Sequence, residues 1–81
     1  MTKTEFHTIL NKIASKYCCD LNDKEGRDGG IFWCHQDSGV AVDIQRELVK
    51  NGIPVWTHSC AFDNVCGRYY VGFGIPRKME E

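Results

Sequence analysis

Phe6, Ile9, Leu10, Ile13, Ala14 and Tyr17 fall at i, i+3, i+4, i+7, i+8 and i+11 of one run, which makes a continuous apolar stripe along an α-helix. The opposite side (Lys3, His7, Asn11, Ser15) is polar. A helix of this kind is not buried all round; it lays one side against another layer. Thr2 and Glu5 have capping-box spacing, with Met1 and Phe6 placed for a hydrophobic staple. Lys12 and Lys16 lie toward the end where the helix dipole favours cations.

The rest of the chain supplies that layer. Ile31-Phe32-Trp33-Cys34-His35, after two glycines, reads as a buried strand. Asp37 or Ser38 caps a second helix running to about Lys50. Val40, Ala41, Ile44 and Leu48 line one side of it; Asp43, Arg46, Glu47 and Lys50 keep the other wet. Asn51-Gly52 stops this helix, with Pro54 just beyond. Ile53 to Phe62 reads as a strand, its Pro54 suiting an edge position or the first residues of a strand. Asp63-Asn64 begins a turn that Gly67 closes. Arg68 to Ile75 alternates cleanly: Tyr69, Val71, Phe73 and Ile75 point one way, Arg68, Tyr70, Gly72 and Gly74 the other. Pro76 ends it, and residues 77–81 are expected to fray. The polar run from Asp20 to Gly30, in which only Leu21 is a candidate for burial, reads as an exposed, mobile loop.

These elements predict a single compact domain over residues 1–81, in the order α-β-α-β-β. Strand–helix–strand implies a right-handed crossover between parallel strands, and the last two strands make an antiparallel hairpin. The expected fold is therefore a two-layer α/β (α+β) sandwich: a small three-stranded mixed sheet with both helices on one face. The other sheet face then has no helix over it. It must be polar or a contact surface.

Charge narrows the functions such a surface serves. Ten basic residues against eleven acidic give a net charge of -1, unlike the strongly basic face of a duplex DNA binder. No segment approaches the roughly 18 apolar residues of a membrane span, and Met1-Thr2-Lys3-Thr4-Glu5 lacks the apolar stretch of a secretory signal. Cys18, Cys19, Cys34, Cys60 and Cys66 are odd in number and two are adjacent, which fits reduced thiols in a cytoplasmic protein.

Three constellations are candidates for chemistry. The first is the face of Arg68, Tyr70, Gly72 and Gly74, joined by Trp56 and His58 alternating on the neighbouring strand, with Trp33 if its strand exposes odd positions. Glycines there let a flat ring or another chain approach the sheet; equally, they admit a bulky Trp into the core. Second, His58 and Cys60 share a face and Cys66 returns from the turn, a weak zinc-site candidate without the two-to-four-residue ligand spacing of structural zinc. Third, Cys34 precedes a helix N-terminus, where a thiolate is favoured, with His58 as base and Asp37 or Asp43 to orient it. No catalytic signature surrounds it, and no cofactor motif is evident: Gly26-Arg27-Asp28-Gly29-Gly30 precedes a strand, not a helix.

The expectation is a non-catalytic protein-interaction module with Trp56, His58, Arg68 and Tyr70 as contact residues, since Trp, Tyr and Arg dominate interface energies. Inhibitors, adaptors and regulatory proteins have this profile, including phage or mobile-element proteins acting on a host complex. The alternative is nucleic-acid binding through Arg68, Tyr70, Arg77 and Lys78; a third is zinc- or thiol-dependent chemistry. The same face also allows homodimerisation.

Overall fold

The computed structural model describes residues 1–22, 29–35, 38–56 and 60–77. Helix α1 spans Lys3–Tyr17, strand β1 Asp20–Asn22, strand β2 Gly30–Cys34, helix α2 Ser38–Lys50, strand β3 Ala61–Asp63 and strand β4 Arg68–Phe73. The class is α+β, in two layers. The helices cover one face of a four-stranded sheet ordered β1-β2-β4-β3.

Helix α1 starts as its sequence dictates. The Thr2 hydroxyl accepts from the Glu5 amide at 3.1 Å, and the Glu5 carboxylate accepts from the Thr2 amide at 2.8 Å. The reciprocal pair satisfies two amides that have no partner inside the helix. Phe6, Leu10 and Ile13 are buried, with Met1, Ile9, Ala14 and Tyr17 packed at the margin. Cys18, in the left-handed region at φ 55°, ends the helix: its amide donates to Ser15 O at 3.4 Å, and that of Cys19 to Ala14 O at 2.9 Å. The same 6→1 and 5→2 pattern closes α2, with Ile53 N to Leu48 O at 2.9 Å and Gly52 N to Val49 O at 3.0 Å. Of the two expected caps of α2, Asp37 lies outside the described residues and Ser38 is the first residue of the helix.

Ala41, Ile44 and Leu48 of α2 meet Phe32, Cys34, Val71 and Phe73 of the sheet, with Ile53 beside them. Leu10, Phe32, Ile44, Leu48, Val71 and Phe73 have no exposed surface. Burying one such side chain stabilises the fold by about 1.5–3 kcal/mol. At the outer end of the helix pair, Lys16 Nζ reaches Glu47 Oε2 at 2.8 Å, and the Tyr17 hydroxyl donates to the same oxygen at 3.4 Å.

The sheet departs from expectation in three ways. It has four strands, and every pair is antiparallel, so it is not mixed. The first three residues of the expected loop, Asp20-Leu21-Asn22, are β1, paired with Trp33, Phe32 and Ile31; residues 23–28 lie outside the described residues. And the stretch from Ile53 to Phe62 is not one strand. Val55 makes an isolated bridge to Phe73, whereas Ala61 pairs with Tyr70. Five residues thus separate the two pairings on this segment where two separate them on β4, so the two pairings do not belong to one regular register.

Strands β2 and β3 do run parallel to each other, as a strand–helix–strand unit requires, but they are not neighbours. Strand β4 lies between them, antiparallel to both. The β3–β4 hairpin forms as the sequence suggests: Asp63 Oδ1 accepts from Val65 N at 2.8 Å and Cys66 N at 3.4 Å, and Gly67 N donates to Asp63 O at 2.7 Å. Strand β4 ends at Phe73 instead of Ile75. Of the tail expected to fray, only Arg77, which is exposed, lies among the described residues. Among these residues no helix is long and apolar enough to cross a membrane.

Candidate functional site

Side chains paired across antiparallel strands share a face. The register therefore sorts the sheet into a helix-facing side (Leu21, Phe32, Cys34, Tyr69, Val71, Phe73 and Phe62) and an open side. The open side carries Asp20 and Asn22 from β1, Ile31 and Trp33 from β2, Arg68, Tyr70 and Gly72 from β4, and Ala61 and Asp63 from β3. Trp33 and Tyr70 are opposite one another, ring centroids 5.8 Å apart at 59°. Both are half-buried.

Trp56 joins this face from outside any strand. Its amide donates to Gly72 O at 2.9 Å, and its indole lies over Gly72: a Cβ there would collide with Cδ2 and Cε3 and stand 2.8 Å from Cζ3. Gly72 is buried by this cover, while 39% of Trp56 remains exposed. The ring that the glycine admits is the chain's own, and it sits on the open face and not in the core. At Gly74 the neighbour is Pro54, whose Cγ would be 3.4 Å from a Cβ.

Arg68 crosses the face. Its Nη1 meets Asp20 Oδ2 at 2.9 Å, and since β2 separates β4 from β1, the side chain spans an intervening strand. Both groups are well exposed, so the pair contributes at most about 1 kcal/mol. Its larger effect is on charge. Among the described residues the one arginine of the face is neutralised, and Asp63 adds a negative group.

Of the expected contact residues, Trp56, Arg68 and Tyr70 come together on one face and Trp33 joins them; His58 lies outside the described residues. Trp56 itself lies outside any strand. Arg77 is elsewhere, beside Val49, Gly52, Ile53 and Pro54 near the end of α2, and Lys78 is not among the described residues. Sequence reasoning missed Ile31, which follows from the same odd-position rule as Trp33, and Asp20, which had been assigned to a loop.

The thiol candidates are placed differently. Cys34 is fully buried on the helix-facing side, away from the open face, and its expected partners His58 and Asp37 lie outside the described residues. The Cys60 thiol donates to Gln45 Oε1 at 3.0 Å and lies 3.4 Å from Ala41 O; burial pushes its pKa up. Cys66 is exposed in the β3–β4 turn. Among the described residues no three His, Cys, Asp or Glu side chains are grouped to hold a metal ion.

No protein-family model matches the sequence, and comparison with curated proteins and with solved structures gives no match.

Proposed function

We propose that this chain is a small non-catalytic interaction module, of the inhibitor, adaptor or regulatory kind, that binds another protein through the open face of its sheet and works in the cytoplasm. The observation carrying this reading is the aromatic group on the uncovered side: Trp33 against Tyr70, and Trp56 lying on Gly72 with 39% of its surface exposed. Tryptophan and tyrosine present large, rigid apolar area at small entropic cost, and they head the residues whose truncation costs about 2 kcal/mol or more at interfaces. Here Trp33 and Tyr70 stand on strands and Trp56 is seated on Gly72, so their positions are set before binding.

Charge favours protein over nucleic acid as the partner. The face's arginine is occupied by Asp20, Asp63 is nearby in register, and Arg77 belongs to another part of the surface. A nucleic-acid platform needs cations to track the phosphates. The five cysteines, all thiols, suit a reducing compartment.

The test is affinity capture with the wild-type chain and a Trp33→Ala/Tyr70→Ala variant, both checked for folding by circular dichroism. A partner retained by the first and lost by the second supports the reading. Retention of the same partner by the variant places the interface elsewhere. Co-purifying nucleic acid, released steeply as salt rises, would shift the assignment to the alternative.

A further inference from the structure

The sheet register places Cys19 and Cys34 together. Asp20 is opposite Trp33, so Cys19, one residue before, faces Cys34, one residue after. Asp20 and Trp33 point to the open side, so by alternation both cysteines point to the helix-facing side. Burial agrees: Cys34 has no exposed surface and Cys19 retains 9%.

The hydrogen bonding refines the geometry. The Cys19 amide donates to Ala14 O at 2.9 Å, closing α1, and is not spent on Cys34. Extended by one residue, the β1–β2 register makes theirs a non-hydrogen-bonded antiparallel position, for which regular geometry sets the Cα atoms about 4.5 Å apart. That lies within the span of roughly 4.4–6.8 Å that a disulfide bridges. In the reduced form the Cys19 thiol donates to Tyr17 O at 3.4 Å, and burial pushes its pKa up.

We propose that Cys19 and Cys34 are a cross-strand dithiol that small disulfides, of the glutathione disulfide class, oxidise to a Cys19–Cys34 bridge. The Cys19 thiolate attacks one sulfur of the small disulfide, breaking its S–S bond and releasing one small thiol. The Cys34 thiolate then attacks the Cys19 sulfur of the mixed disulfide, and the second small thiol leaves. Two protein thiols are oxidised to one disulfide, and one small disulfide is reduced to two thiols that take up both protons. Cys19, which retains contact with solvent, is the point of attack. Intracellular disulfides are typically transient and redox-sensing, so the reduced form described above and the bridged form suit two states of one compartment.

The other cysteines are placed so as not to compete. Cys18 is exposed beside Ser15, Cys60 is held under α2 by Gln45 and Ala41, and Cys66 is exposed in the hairpin turn. The bridge would fasten the end of α1 to β2 directly beneath Asp20 and Trp33. It does not rest on the role assigned to the open face.

The experiment uses the full chain carrying Cys18→Ser, so that a peptide containing residue 19 is unambiguous. After incubation with oxidised glutathione, remaining thiols are alkylated in denaturant and the digest is mapped by mass spectrometry. The expected product is one peptide pair linked through Cys19 and Cys34, short of two hydrogens and restored by reductant. Closing so short a ring should raise the melting temperature by something on the order of 10 °C, and Cys19→Ser should abolish both the link and the rise. Full alkylation of Cys34 after oxidation, or its linkage to Cys60 or Cys66, overturns the proposal. Because the linkage is mapped in a chain that retains both cysteines, the result does not depend on how well the Cys19→Ser variant folds.

Discussion

The indole of Trp56 occupies the space that a side chain at position 72 would need. The contact is held from both ends, because the Trp56 amide also donates to the Gly72 carbonyl. Ring and glycine thus act as one unit, the glycine serving as a seat on the sheet for an aromatic that arrives from outside any strand.

That relationship makes Gly72→Ala a steric substitution. Seating even one methyl forces the indole off the sheet, and overpacking of this kind costs about 1–3 kcal/mol. The cost should nearly vanish in a Trp56→Ala background, so the double-mutant cycle in urea yields a coupling that approaches the whole single-mutant effect. Tryptophan fluorescence supplies a second reading: the displaced indole becomes more accessible to acrylamide. An unchanged Gly72→Ala penalty in the Trp56→Ala chain would show that the seat is not what position 72 provides.

Gly29→Ala should be the more damaging glycine substitution. Gly29 lies at φ 106°, and a Cβ there would overlap the backbone carbonyl of Phe73. Backbone cannot swing aside as an indole can. A strained φ alone costs about 1–3 kcal/mol, and the clash adds to it. Against a total stability of about 4–12 kcal/mol for a chain of this length, a large loss of folded population at 37 °C is expected, readable by thermal melts.

Cys18→Gly should go the other way. Cys18 is an L residue in the left-handed region at φ 55°, where a Cβ costs about 1–2 kcal/mol. Glycine removes that cost but loses more entropy on folding, by about 0.5–1 kcal/mol. A net gain of about 0.5–1 kcal/mol should appear as a higher urea midpoint with unchanged slope.

Lys16 and Glu47 tie α1 to α2, and the tie has a pH signature. The hydrogen bond and charge of Lys16 hold the Glu47 carboxyl below its ordinary 4.5, and Glu47 in turn holds the Lys16 ammonium above its ordinary 10.5. A lowered carboxyl pKa contributes stability that is present above the unfolded value and is lost as pH falls through the folded one. A raised lysine pKa contributes stability present below 10.5 and lost as pH rises through the folded value. Melting temperatures of wild type and Glu47→Gln should therefore differ most between pH 5 and 10 and converge toward either extreme. Both groups touch solvent, so the difference should be small and shrink in high salt.

Both helices and β4 are legible in the sequence because their signals are local: one-sided periodicity in α1 and α2, strict alternation from Arg68 to Phe73. The aromatic membership of the open face followed from that alternation, with Arg68, Tyr70 and Gly72 on one side. Strand β1 was not legible. Three residues, Asp20-Leu21-Asn22, carry one apolar side chain and no period, and only pairing with β2 makes them a strand. The stretch from Ile53 to Phe62 misled for the opposite reason, since its apolar run conceals a register change that depends on β4. The same holds for neighbours in the sheet: direction follows from the connecting helix, whereas the insertion of β4 between β2 and β3 is decided by tertiary packing.

That insertion has a kinetic consequence. The strand that comes last of the four in the chain is the one on which both β2 and β3 must pair. Until residues 68–73 are available, β3 has no strand to join, and β2 can zip only with three-residue β1. The β3–β4 hairpin closes a short loop, but docking β4 on β2 closes one of several dozen residues, an entropic barrier met before any core burial offsets it. Folding should thus wait on one late, long-range encounter. Substitutions at the Phe32–Val71 contact should slow refolding, while those within α1 should mainly change how fast the native state unfolds.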